Sequence, residues 1–273
     1  MSRRDDDVLD RPAPPPELTL SYGPHPEHVV DVRLPASPGA APLVVVVHGG
    51  FWKAEYDRAH AGPQSTGLAA AGYVVATVEY RRVGRTGSGW PATFDDVALM
   101  ADTVVGVVAD AVPGRVDPLR ICFVGHSAGG QLVAWLAARH RLPESSPWRT
   151  TYPVPASVVP LAGVVDLAVA DRLGLGGNAA RSLLGGPPRR QPGRWAAADP
   201  ARLLPTGVRT VLVHGTADPV VPVEVGRSFS AAARGACDAV VLHELPGVGH
   251  YALIDPLAPA WPHVLAAVAE ALG

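Results

Sequence analysis

Six short β-branched runs, separated by alanine-rich stretches of helical length, constrain this chain more than any other feature. Leu43 to Val47, Tyr73 to Val78, Arg120 to Val124, Ser157 to Leu161, Thr210 to Val213 and Val240 to Leu245 are mostly continuous apolar runs. A strand buried on both faces reads this way because neither side meets water, whereas a strand with one wet face alternates. Between the runs, about Ala59 to Ala71, Phe94 to Ala111, Ala128 to His140, Val223 to Arg234 and Pro259 to Leu272 suit helices. Such alternation predicts a doubly wound, mostly parallel α/β sheet with helices on both faces. Leu18 to Tyr22 and His28 to Leu34 alternate in polarity around a Gly23-Pro24 turn, which adds two half-buried strands and brings the sheet to eight.

Two stretches break the rhythm. Residues 1–16 are charged and then proline-rich, and are expected to form a flexible N-terminal arm ahead of one domain over 17–273. Residues 166–208 carry Gly174, Gly176, Gly177, Gly185 and Gly186, then Pro187, Pro188 and Arg189-Arg190, with only Asn178 to Leu184 suited to a helix. An irregular insertion of that length reads as a small cap or cover over a site.

Bulk properties exclude several functions. A chain of 273 residues buries a core without a disulfide or metal staple, and Cys122 and Cys237 are expected as reduced thiols. The net charge is −2, Lys53 is the only lysine, and no basic run offers a nucleic-acid footprint. The first residues lack the apolar segment of a signal peptide, and no uncharged apolar stretch is long enough to span a bilayer. A soluble cytoplasmic protein acting on a small molecule is expected, with no membrane or nucleic-acid partner and no cofactor; composition leaves the oligomeric state unknown.

The chemistry begins at Gly125-His126-Ser127-Ala128-Gly129, directly after the run Arg120 to Val124 and directly before a helical stretch. Strand, G-x-S-x-G turn and helix together make a nucleophile elbow, in which a strained turn lifts the serine Oγ above the sheet edge. The glycines let strand and helix approach closely, and the helix N-terminus favours negative charge beside Ser127. A bland alternative is a glycine-rich turn whose serine only caps the helix. Upstream, the run Leu43 to Val47 ends in His48-Gly49-Gly50-Phe51-Trp52. Such a loop supplies backbone N–H groups to an oxyanion, here assigned to Gly50 and Phe51 beside the N–H of Ala128. Trp52 is expected either in the pocket or as an ordinary core aromatic, and His48 as a structural hydrogen-bonder.

Asp218 follows the run Thr210 to Val213, and His250 follows the run Val240 to Leu245. The order Ser127, Asp218, His250 is that of a hydrolase triad on such a sheet, with His250 as base and Asp218 holding its Nδ1–H. Asp166, after the run Ser157 to Leu161, is the rival acid. His243 lies within a strand, and His126 and His214 read as structural. No ligand-spaced histidines or clustered carboxylates suggest a metal.

With these residues in place, the chain resembles the α/β-hydrolase superfamily from about Leu18 to its C-terminus. His48-Gly49-Gly50-Phe51-Trp52 is similar to the H-G-G-x-W signature of kynurenine formamidases (arylformamidases). Glu79-Tyr80-Arg81-Arg82, with Trp90-Pro91 and Asp95-Asp96, is similar to a structural segment shared with hormone-sensitive-lipase-like esterases. The match departs at Gly130-Gln131, where formamidases have an alanine and then a histidine, and at Glu79, where aspartate is common. The resemblance implies a serine esterase or amidase working through an acyl-enzyme, with N-formylkynurenine as a candidate substrate. A short-chain carboxylesterase or small peptidase is the alternative, and a non-catalytic binding protein on the same fold is a third reading. Pocket shape is expected to depend on the loops 166–208 and 83–92; Arg181, Arg189, Arg190 and Arg194 of the first read as solvated surface arginines, with pairing to a substrate carboxylate as the alternative.

Overall fold

The third strand, β3 (Ala41–Val47), shows why the apolar runs are continuous. Leu43, Val45 and Val47 enter one core cluster while Val44 and Val46 enter another, and all five are fully buried. Burying both faces of a strand places each of these side chains where it contributes roughly 1.5–3 kcal/mol. A computed structural model describes residues 6–84, 88–152 and 154–273 of the chain.

Eight strands form one sheet in the order β1-β2-β4-β3-β5-β6-β7-β8. The first two, β1 (Leu18–Ser21) and β2 (Val29–Arg33), pair antiparallel, and β2 runs antiparallel to β4 (Val74–Val78). All remaining pairs are parallel: β4 with β3, β3 with β5 (Val116–His126), then β6 (Ser157–Leu161), β7 (Arg209–Gly215) and β8 (Val240–Leu245). The expected eight-stranded, mostly parallel sheet is therefore what forms. Helices α2 (Ala92–Ala111), α3 (Ala128–Ala137) and α7 (Glu224–Gly235) supply the core of one face; α1 (Gly62–Ala70) and α8 (Trp261–Leu272) supply the other.

Two expectations need correction. The segment 166–208 is largely helical, with α4 (Leu167–Arg172), α5 (Leu175–Leu184) and α6 (Pro192–Ala198). Asp166 caps α4 by accepting from the Val169 N–H at 2.9 Å, and Pro192 opens α6. Left-handed Gly174, Gly176, Gly177 and Asn178 hide the helical period there, so regular α geometry within α5 begins only after Asn178.

The expected flexible arm is also docked over its described part, 6–16; residues 1–5 lie outside the described residues. Val8 is buried in the same cluster as α1 and α8, and Arg11 pairs with Asp255, one contact being 2.9 Å. Arg33 donates to the Pro15 carbonyl at 3.0 Å, and the Ala13 methyl sits where a side chain on Gly62 would stand. Proline here stiffens a segment held by contacts, where composition alone reads as loose chain.

Candidate active site

Ser127 sits between β5 and α3 with φ 55° and ψ −115°, a left-handed-side conformation that a non-glycine residue adopts only under constraint. The constraint is visible on both sides. The Ser127 N–H donates to Leu161 O at 2.9 Å, and the Val164 N–H donates to Ser127 O at 3.1 Å, so the β6 end clamps the turn. A Cβ on Gly125 would lie 2.2 Å from Gly129 O, and one on Gly129 would lie 2.0 Å from Val47 O. Both glycines are demanded by this crossing of β5, α3 and β3.

The expected acid, Asp218, and base, His250, arrive on neighbouring loops. After β7, the Thr216 N–H donates to Leu245 O at 3.0 Å and the Ala217 N–H donates to Val248 O at 3.1 Å. These bonds zip the loop after β7 to the loop after β8. As a result the His250 Nδ1–H donates to Asp218 Oδ2 at 2.6 Å, with both side chains buried. Asp218 Oδ1 accepts from the Val220 and Val221 N–H groups, each at 2.8 Å, which fixes the carboxylate plane. The rival Asp166 is used elsewhere: Oδ1 caps α4, and Oδ2 accepts from Ser228 Oγ at 2.6 Å.

The other histidines are braces. His126 donates through Nε2 to the His250 carbonyl at 3.1 Å; burial, with the nearby His250 ring, pushes its pKa well below the ordinary value and keeps it neutral. His214 bonds the Val221 carbonyl at 2.8 Å, and His243 pairs on the surface with Glu270. His48 bonds Glu79 Oε1 at 2.9 Å and stacks on Tyr80. Burial alone would raise the Glu79 carboxyl, but His48, Arg82 and the Arg58 N–H hold it at about 2. Arg81 meanwhile grips Asp96, with Nε 2.9 Å from Oδ2, so the Glu79 to Arg82 segment is structural.

Gly50, Phe51 and Trp52 take φ of 103°, 50° and 56° in succession. This run of left-handed residues turns the chain sharply after β3. Gly50 and Phe51 line one small pocket with Ser127 and His250, while Ala128 follows the serine at the head of α3. Trp52 does not join them. It is buried in the core, its Nε1–H donating to Gln131 Oε1 at 3.1 Å, and Gln131 in turn donates to Ala198 O at 2.9 Å. The turn that leaves Gly50 and Phe51 on the pocket wall sends the next side chain inward, so the pocket role considered for Trp52 is withdrawn.

The pocket around Ser127 is about 60 Å³ and is completed by Leu9, Tyr56, His60, Val220 and Tyr251. These five carry no motif; only Tyr251, next to His250, had a signal in the sequence. Among the described residues, none of 166–208 lines it, although Gly176 of that segment packs on the Phe51 ring. Arg181 pairs with Asp171 at 2.6 Å, and Arg194 bonds Leu184 O at 3.1 Å; neither lines this pocket. Residues 85–87 of the loop 83–92 lie outside the described residues. No described helix is long and apolar enough to cross a membrane.

Known proteins agree with this architecture. Esterase LipQ of Mycobacterium tuberculosis (strain ATCC 25618 / H37Rv) is 30% identical over 244 residues, covering 85% of this chain and 56% of that protein. Esterase LipC of the same organism is 28% identical over 254 residues, covering 86% of this chain and 59% of that one. The chain thus spans little more than half the length of these two relatives. Among solved structures, a truncated carbohydrate esterase from gut microbiota superposes with a TM-score of 0.78 at 22% identity, covering 93% of this chain and 94% of that one. The thermophilic esterase Est2 of the Planctomycetes species Thermogutta terrifontis gives 0.72 at 23% identity, covering 96% and 95%. At those identities the likeness is one of fold, and the fold is that of the α/β-hydrolases. A family match over residues 30–232, well over half of the chain, adds lineage to that fold: the chain belongs to the BD-FAE family.

Proposed function

We propose that this protein is a carboxylesterase that cleaves short-chain esters through an acyl-enzyme on Ser127. The observation carrying this reading is a strained serine that shares a small pocket with a buried histidine held by a carboxylate. Ser127 Oγ attacks the ester carbonyl carbon while His250 Nε2 takes its proton. Asp218 holds the imidazole by Nδ1–H and stabilises the imidazolium. The oxyanion forms against the backbone N–H groups of Gly50, Phe51 and Ala128. Collapse expels the alcohol, which carries away the proton from His250. Water then attacks the acyl-enzyme and gives its proton to His250, which passes it to Ser127 Oγ as that oxygen leaves, releasing the carboxylic acid and free Ser127.

Pocket size supports the short acyl group. A cavity of about 60 Å³ holds a few water-sized volumes, far below the roughly 300–1,000 Å³ of pockets that enclose larger ligands. The relatives named above are esterases, and two features weaken the formamidase reading: Trp52 is turned into the core, and Gln131, at a position where formamidases have histidine, ties it there. The test is kcat/KM for p-nitrophenyl acetate, butyrate and decanoate beside N-formylkynurenine. Acetate and butyrate are expected to lead. Fastest cleavage of decanoate would refute the short-chain reading, and deformylation faster than acetate cleavage would restore the formamidase.

A further inference from the structure

Leu9 lines the catalytic pocket, although it stands 118 positions before Ser127 in a segment whose composition reads as loose chain. On its other side the same residue lines a cleft of about 680 Å³, and Tyr56 and His60 are likewise shared by both spaces. These three residues are thus the boundary shared by a small chamber holding Ser127 and a much larger cleft. Two anchors hold the Leu9 part of it. Val8 is 1% exposed and packed in the core beside the α1 and α8 residues. Arg11 pairs with Asp255, just beyond the Tyr251–Leu253 turn that follows His250, so the segment is tied to the loop carrying the base.

We propose that Leu9 is a specificity-determining residue: docked over the site by Val8 and the Arg11–Asp255 pair, it ends the catalytic pocket and limits the substrate group that fits. Leu9 is the boundary member carried by the segment 6–16, while Tyr56 and His60 sit on the chain between β3 and α1. Truncating its side chain joins the chamber to the cleft and gives a longer substrate arm somewhere to go. Hydrophobic walls discriminate by about 10- to 200-fold per methylene, so a breach at this point has a readable effect.

The inference rests on the catalytic reading of Ser127, and the experiment separates the two. In the full-length protein, kcat/KM is measured for p-nitrophenyl acetate and octanoate, and for ethyl and benzyl acetate, with thermal midpoints alongside. Leu9→Ala is expected to raise the long-to-short ratio in at least one series by about tenfold or more. Leu9→Trp is expected to lower it, and Leu9→Met to restore it. Arg11→Ala and Asp255→Asn, which free the segment and leave Leu9 intact, are expected to move the ratio in the direction of Leu9→Ala. If the native protein cleaves these esters and Leu9→Ala and Leu9→Trp keep its ratios in both series, the inference is overturned and the esterase reading stands. If the native protein cleaves none of them, the esterase reading fails instead.

Discussion

Gly129→Ala puts the elbow's geometry to a quantitative test. Gly129 lies in the first turn of α3, where intrinsic propensity favours alanine over glycine by about 1 kcal/mol. The structure opposes that preference. The added Cβ would stand 2.0 Å from Val47 O and 2.6 Å from His48 O, two backbone atoms of β3 and its loop that have no rotamer to yield. Relief requires α3 to recede from β3 by about 1 Å, and overpacking of this kind costs roughly 3–5 kcal/mol net. For a chain of this size the thermal midpoint is expected to fall by roughly 6–20 °C. The same displacement moves Ser127 and the Ala128 N–H away from the Gly50 and Phe51 backbone, and a misplacement of about 1 Å costs about 10²-fold in rate. The assay is thermal unfolding together with kcat/KM on p-nitrophenyl butyrate. Gly106→Ala is the control: it lies exposed in α2, its Cβ would meet nothing within 4 Å, and it is expected to stabilise by about 0.5–1 kcal/mol. A Gly129→Ala protein with a midpoint within about 2 °C of the native one and an unchanged rate would refute the close-approach argument.

Asp218→Asn is expected to lower kcat by on the order of 10²- to 10⁴-fold, because the imidazole loses its orienting acceptor, while Asp166→Asn, which alters the α4 cap, the Ser228 contact and the charge beside Asp199, costs far less; steady-state rates decide, and the reverse ranking moves the acid to Asp166. Burial, then the nearby Asp166 charge, raises the Asp199 carboxyl to about 6 despite its bonds from the Leu167 and Ala201 N–H groups. An acid whose pKa rises on folding binds more protons in the native state, so its contribution declines as pH climbs from about 4 to about 6, by about 3 kcal/mol. Asp199→Asn is therefore expected to be less destabilising at pH 8 than at pH 4 in paired denaturant titrations, and an equal effect at both would contradict the burial argument.

How legible each part was follows from how local its cause is. The elbow was readable because Gly125 and Gly129 bracket Ser127 at a fixed spacing, although only the Gly125 contact, with Gly129, is local and the one that demands Gly129 comes from Val47 and His48. Asp218 and His250 were readable because each lies a few residues beyond the end of a strand, although only the hydrogen bond between them separates Asp218 from Asp166. Trp52 was not, since adjacency in sequence says nothing of direction and three successive positive φ values turn its side chain into the core. The helices over 166–208 were obscured by left-handed glycines that interrupt the 3.6-residue period. The docking of 6–16 was invisible for another reason. It uses a buried valine and an ion pair spanning 244 positions, neither of which a charged, proline-rich composition reveals.

The central claim is that Ser127 forms the covalent intermediate. Its most direct test is reaction of the native protein with a fluorophosphonate probe, followed by mass spectrometry of the resulting peptides. The account predicts one adduct per chain, located on Ser127, with matching loss of p-nitrophenyl butyrate hydrolysis, and neither labelling nor hydrolysis in Ser127→Ala. An adduct on any other residue, or a Ser127→Ala protein that keeps more than about a tenth of the native turnover, would contradict it.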